Sequence, residues 1–289
     1  MLPGQKRAMI RNALIAAVAT IALSTNLAAA ESAGGNQPAA ETEGFVLFPG
    51  ANQADGVEWQ KVMPNLSLPA LALELPHGAT VNVTRADYIK SVLSAMDRVG
   101  FKRAILVGHS GGGLIVPQIA ITAPERVRQM VFLSANVPPE GGTVMDLLPF
   151  DPIAMVTWTL GPKYRMFWWW QLRTLCSDCD DQAWALVRKH FDPSCNYLYV
   201  FSPNPANLER VSRHGLPPSI PRTFIKLMRD QALPPRMQDK AAANIGAQIV
   251  TLDSGHMAPV THPKELATIL NGIAKQDVNP SSASIGDRP

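Results

Sequence analysis

The chain has 289 residues, 46% of them hydrophobic and 17% charged, enough to build one large α/β domain or two modest ones. That balance excludes a stapled mini-protein and the disordered or low-complexity classes. The formal charge of +3 and pI near 8.8 hint at an anionic partner, a hint that depends on where the charges sit.

They sit at the start. Lys6, Arg7 and Arg11 are the only charged residues before Glu31. An apolar run from Ala13 to Leu23 and then Ala28-Ala29-Ala30 follow them. A basic head, a short apolar stretch and small residues at an A-x-A-like site describe a secretory signal peptide over residues 1–30. The run is short for a bilayer span, which disfavours an uncleaved anchor. Without those three bases, the remaining 23 match the 23 acids, so the mature chain is formally neutral. Nucleic-acid binding loses its global support, and no basic stripe or zinc-finger spacing restores it. The expectation is an exported protein, periplasmic or secreted, with no membrane attachment after cleavage.

Residues 31–43 read as a flexible leader. Phe45–Phe48 and Ala70–Leu73 read as buried strands. Arg85–Val99 has helical spacing in Tyr88, Val92, Leu93 and Met96, and stops at Gly100. Ala104–Val107 is a predicted strand, Gly112–Ala120 a helix and Met130–Leu133 the next strand. This βαβαβ alternation predicts an α/β fold with a mostly parallel sheet flanked by helices. From 139 to 218 the rhythm breaks, and the stretch holds Trp158, Trp168, Trp169, Trp170, Trp184 and all three cysteines. It reads as a mainly helical cap inserted at the carboxyl edge of the sheet, where open α/β sheets bind ligands. Predicted strands Thr223–Leu227 and Gln248–Leu252 and a helix over Pro263–Ala274 resume the pattern. The catalytic core thus covers 44–138 and 219–275, and 276–289 form a loose tail.

In an exported chain, Cys176, Cys179 and Cys195 allow one disulfide and one free thiol, with the pairing open. Cys176-Ser-Asp-Cys179 lacks a thioredoxin-like βαβ context, so a local structural bridge is the better reading than redox catalysis. Zinc would need a fourth ligand, and His190 does not complete any standard spacing.

Gly108-His109-Ser110-Gly111-Gly112 follows a strand and opens a helix, the context of a G-x-S-x-G nucleophile elbow. A serine there occupies a strained turn that presents its hydroxyl, and a helix N-terminus favours negative charge developing beside it. A phosphate-binding loop would need a following Lys, which is absent, and a dinucleotide fingerprint needs Gly at three set places, which Gly108-His109-Ser110 does not supply. The serine needs a base, and the base an orienting acid. His256, between the last strand and the final helix, is placed to reach Ser110. His109 adjoins the serine but should point away, in a packing or supporting role. His262 is placed to help start the last helix, and His77, His190 and His214 read as surface or cap residues. Asp230, after the strand TFIKL, is the candidate acid, with Asp253 and Glu140 as fallbacks.

At this point the chain resembles the α/β-hydrolase superfamily over about residues 44–275, and more closely its esterase and hydroxynitrile-lyase branch. The resemblance lies in FVLFPGA at 45–51, Trp59, VGHSGGG at 107–113, VFLSANVPP at 131–139, FIKLMRDQALPPRMQ at 224–238 and SGHMAPVTHPKEL at 254–266. It implies a catalytic triad of Ser110, Asp230 and His256 and an oxyanion hole from the backbone N–H groups of Ala51 and Gly111. The chain departs from the family at Pro49-Gly50, where His-Gly is usual. Gly50 and Met257 stand where the lyases carry Thr and Lys, which places the chain on the esterase side.

The resemblance implies an ester substrate, a small molecule hydrolysed through an acyl-enzyme with no metal or organic cofactor. Trp168, Trp169, Trp170 and Met257 are candidate lining residues of an apolar pocket, with ordinary packing as the alternative for each. Other reactions of this fold are lactone opening, C–C bond hydrolysis and cyanohydrin cleavage. Epoxide hydrolases and dehalogenases generally present Asp at the elbow, so Ser110 argues against them. A non-catalytic binding protein of this fold would have no need of a complete triad.

Overall fold

A computed structural model describes residues 42–50, 55–74, 84–147, 172–191 and 210–276. The expected signal, residues 31–41 of the leader and 277–289 of the tail, Trp168–Trp170, Cys195, His77 and Ala51 lie outside the described residues, whereas Glu43, assigned to the leader, opens the first strand. Six strands form one sheet: β1 (Glu43–Phe48), β2 (Ala70–Ala72), β3 (Arg103–His109), β4 (Val127–Leu133), β5 (Arg222–Leu227) and β6 (Gln248–Leu252). Their order is β2-β1-β3-β4-β5-β6, and every pairing is parallel. The direction of winding reverses between β1 and β3. In such sheets, the loops leaving the two strands diverge there and open a crevice at the carboxyl edge.

The strand period of two explains the layers. Phe45 and Leu47 of β1 point to one face, together with Ile105, Val107, Val131, Leu133, Ile225 and Leu227. Trp59, Val62 and the last long helix cover that face. Val46 and Phe48 point to the other, with Leu106, Met130, Phe132 and Phe224. Helices α1 (Arg85–Arg98), α2 (Val116–Thr122) and α4 (Pro235–Ile245) close it with residues such as Tyr88, Ile119 and Ala242. The inner strands are buried on both faces and read as continuous apolar runs. The edge strands differ. Ala70, Leu71 and Ala72 are only half-buried, so β2 is not the buried strand its composition predicts, and four of the five residues of β6 are exposed.

Helix boundaries follow local chemistry. Thr84 caps α1, accepting from Asp87 N, while Asp87 Oδ2 accepts from Thr84 N at 2.8 Å. The predicted helix 112–120 is instead a tight 3-10 turn, Ser110–Leu114, followed by α2 from Val116, with Pro117 near its start. Helix α3 (Asp181–His190) lies in the predicted cap and is capped by Asp180. The sequence reading missed α4, although prolines precede it and Gly246 ends it at φ 63°. The short α5 (Ala258–Thr261) and α6 (Pro263–Ala274) end the described core. Among the described residues, no helix is long and apolar enough to cross a membrane.

Gly108 marks where β3 meets the elbow. A Cβ there would stand 2.8 Å from Gly113 Cα and 2.9 Å from Gly113 N, backbone atoms that cannot step aside. Gly108→Ala is therefore expected to lower stability by about 1–3 kcal/mol, as overpacked cores do. Urea unfolding of the variant beside the wild type measures this, and equal midpoints would contradict it.

Candidate active site

The residues singled out at 110, 230 and 256 follow β3, β5 and β6 at the carboxyl edge of the sheet, and Asp230 and His256 are in direct contact. Ser110 immediately follows β3 and adopts φ 49°, the left-handed region that a non-glycine residue enters only under local constraint. The elbow is tied to the loop after β4 by Asn136 N, which donates to Ser110 O at 2.8 Å. The loop after β1 approaches from the other side: a Cβ on Gly50 would lie 3.4 Å from Ser110 Cβ. Ser110 is 4% exposed, so the strained turn lifts it off the strand without baring it to solvent.

Asp230 and His256 are buried and joined, Nδ1 to Oδ2, at 2.6 Å. Three further donors hold the carboxylate. Ser134 Oγ donates to Oδ2 at 2.6 Å, and the backbone N–H groups of Ala232 and Leu233 donate to Oδ1 at 2.8 Å each. Burial pushes the Asp230 carboxyl up, but the His256 imidazole and the hydrogen bonds from His256, Ser134 and Leu233 outweigh it. Its pKa lies below the ordinary carboxylate value, and the group stays ionised.

The Asp230 loop is shaped by the buried side chain of Gln238 on α4. Gln238 Oε1 accepts from Leu227 N at 2.8 Å, and its Nε2 donates to Leu227 O at 2.9 Å and Leu233 O at 2.7 Å. The amide thus continues the hydrogen bonding of β5 where the strand ends, and pins the far end of the loop. Ser134, directly after β4, also has positive φ, at 37°, which turns its side chain toward Asp230.

A second acid–histidine pair lies beneath the elbow. His109 Nδ1 meets Glu58 Oε1 at 3.0 Å, and its Nε2 meets the carbonyl oxygen of His256 at 3.0 Å. The same Glu58 oxygen accepts from Gly50 N at 3.1 Å. His109 therefore links three segments: the turn after β1, its own elbow and the His256 loop. Burial pushes its imidazolium down, but the charge and hydrogen bond of Glu58 outweigh this and hold its pKa above the ordinary histidine value.

The remaining candidates stand elsewhere. Asp253 is an exposed partner of Arg229, and Glu140 pairs with Arg213. His190 pairs with Asp55 and His262 bonds Thr261 at the start of α6. Met257 is buried against Leu175, Cys176, Val187 and Val260, joining cap to core. Cys176 and Cys179 form a disulfide. A cavity of about 580 Å³ opens beside it, bordered by Arg173, Trp184 and Gln231 among others, and neither Ser110 nor His256 lines it. Among the described residues, no group of three or more His, Cys, Asp or Glu side chains could hold a metal ion. The sequence reading missed Glu58, Ser134 and Gln238. Ser134 and Gln238 lie inside the quoted stretches VFLSANVPP and FIKLMRDQALPPRMQ, whereas Glu58 carries no recognisable local signal.

Comparison with known proteins places this geometry in a lineage. Residues 45–269 match the profile of the alpha/beta hydrolase family. A carbendazim hydrolyzing esterase from Nocardioides is 37% identical over 73 residues, covering 25% of this chain and 30% of that protein. Salicylic acid-binding protein 2 from Nicotiana tabacum is 26% identical over 268 residues, covering 81% of this chain and 98% of that one. Among solved structures, an extracellular alpha/beta-hydrolase from a Paenibacillus species superposes with a TM-score of 0.67 at 20% identity, covering 81% of this chain and 99% of that one. Polyneuridine aldehyde esterase gives 0.64 at 20% identity, over 81% of this chain and 100% of that one. With the all-parallel sheet, the strained serine after β3 and a match over most of its length, the chain belongs to the alpha/beta hydrolase family.

Proposed function

We propose that the protein is a serine hydrolase of small-molecule carboxylic esters, working through Ser110, His256 and Asp230. The observation that carries this is the 2.6 Å contact between His256 and an Asp230 carboxylate already held by three other donors, together with a left-handed turn at Ser110 directly after β3. The names of the carbendazim hydrolyzing esterase and polyneuridine aldehyde esterase support an ester substrate. The basic head and apolar run of residues 1–30, and the extracellular Paenibacillus neighbour, support export.

In this mechanism His256 Nε2 takes the Ser110 proton as Oγ attacks the ester carbonyl. The Nδ1–H of His256 donates to Asp230, whose negative charge stabilises the imidazolium. The Gly111 N–H, at the head of the 3-10 turn, donates to the developing oxyanion together with a second donor from Ala51, each such donor being worth about 2.7–4 kcal/mol. His256 then returns its proton to the leaving alcohol. Water, activated by the same base, releases the acid from the acyl-enzyme.

Ser110→Ala is expected to lower turnover of short p-nitrophenyl esters by about 10⁶-fold, and Asp230→Asn by about 10⁴-fold, because the wrong imidazole tautomer would then be held. Steady-state rates on purified protein decide it, and retained activity in the alanine variant would sink the proposal.

The His109–Glu58 pair has a pH signature separate from turnover. The folded pKa of His109 is raised, so its stabilising contribution is complete below the unfolded value of about 6.5 and fades as pH rises through the folded value. Glu58→Gln removes the charge responsible. At pH 6 it should destabilise the protein by about 1.5–3 kcal/mol, the usual worth of a hydrogen bond to a charged group. The difference from wild type should narrow as pH rises through the folded His109 value, as followed by thermal melts across a pH series. A difference independent of pH would contradict this assignment.

A further inference from the structure

The stretch Cys176-Ser177-Asp178-Cys179 has no part in the triad, yet it touches the loop that carries His256. Its disulfide closes a loop of four residues with Ser177 and Asp178 at the tip. Gly255 N donates to Asp178 Oδ2 at 2.6 Å, and Ser254 Oγ lies 3.5 Å from the same oxygen. The fit admits no side chain on Gly255: a Cβ there would collide with Asp178 Oδ1 and stand 2.9 Å from Ser177 Oγ.

The Asp178 side chain is 9% exposed and faces two cationic or ionisable groups, Arg229 Nη2 at 3.6 Å and His262 Nδ1 at 3.8 Å. Arg229 precedes Asp230 and is itself bound to the histidine loop. Its N donates to Ser254 O at 2.9 Å, and its Nε pairs with Asp253 Oδ1 at 2.9 Å. On the other side of His256, Met257 packs with Leu175 and Cys176. Both sequence neighbours of the histidine are therefore held by one segment of the cap.

We infer that Asp178, braced by the Cys176–Cys179 disulfide, is a positioning residue for His256: its carboxylate fixes the peptide leading into the histidine and ties it, through Arg229, to the loop of Asp230. This rests on the serine-hydrolase reading of the site. A base displaced by about 1 Å can lose about 10²-fold in rate with the substrate still bound. The effect therefore falls on kcat and leaves KM nearly unchanged.

The test compares full-chain wild type, Asp178→Ala and Asp178→Asn per active site, with sites counted by fluorophosphonate labelling of Ser110 run to completion. Asp178→Ala is expected to lower kcat per labelled site by about 10- to 100-fold, with KM within about twofold of wild type. Asp178→Asn keeps an oxygen for Gly255 N–H but loses the charge facing Arg229, and recovers part of the rate. If the alanine variant does not fold, the asparagine variant carries the comparison, and a kcat below wild type is still required. Fewer labelled sites with unchanged kcat per site, or a change confined to KM, would overturn the inference. Absence of labelling in the wild type would remove the serine reading itself and this inference with it, an outcome distinct from a labelled wild type and an unaffected Asp178 variant.

Discussion

Asp230 is a carboxylate kept ionised beneath the protein surface, and the site depends on the four donors that make this possible. Desolvation alone would favour its neutral form. Ser134 comes from the end of β4, the two backbone N–H groups from the loop after β5, and His256 from the loop after β6. Moving any one of these loops would leave a buried charge short of a partner, at a cost of several kcal/mol. The carboxylate thus turns three separate loops into one rigid unit. Parallel pairing supplies the proximity, because β4, β5 and β6 are neighbours that all run the same way.

The second pair, Glu58 with His109, extends that unit across the winding reversal between β1 and β3. A backbone carbonyl can only accept, so His109 Nε2 must carry a proton to bond His256 O. Its Nδ1 faces a carboxylate oxygen that also receives the Gly50 N–H. An imidazolium satisfies both contacts at once, which agrees with the raised pKa. The two buried histidines sit 4.8 Å apart, ring to ring, with opposite tasks. His256 has its Nε2 left for chemistry in the proposed mechanism, whereas His109 has both nitrogens committed to structure, Nδ1 to the Glu58 carboxylate and Nε2 to the His256 carbonyl.

Much of this was legible in the sequence, for identifiable reasons. The inner strands are apolar runs because both faces are buried, and Gly100 and Pro263 punctuate helices as their backbone chemistry demands. Ser110 was legible because a strained turn between strand and helix needs glycines at fixed spacing. Asp230 and His256 each follow a strand, so order along the chain placed them. The supporting residues were not legible, because their partners are distant in sequence. Glu58 meets His109 across 51 residues, and Asp178 meets Gly255 across 77. Buried strands and edge strands of similar composition also look alike in sequence, which is why Ala70–Ala72 was read as more buried than it is.

Residues 172–191 meet the loop of His256 through these long-range contacts. Met257 was a candidate for the pocket, but it packs with Leu175 and Cys176, and its neighbour His256 is followed and preceded by residues in contact with the cap. The segment 172–191 is docked on the histidine loop by apolar packing and by the Asp178–Gly255 hydrogen bond. Displacing it would expose the apolar cluster around Met257 and uncouple Asp178 from Gly255. Under the proposed mechanism, the alignment of the base then depends on this segment. Its disulfide confines Asp178 to a short loop, so the residue that meets the histidine loop has little freedom to drift from it.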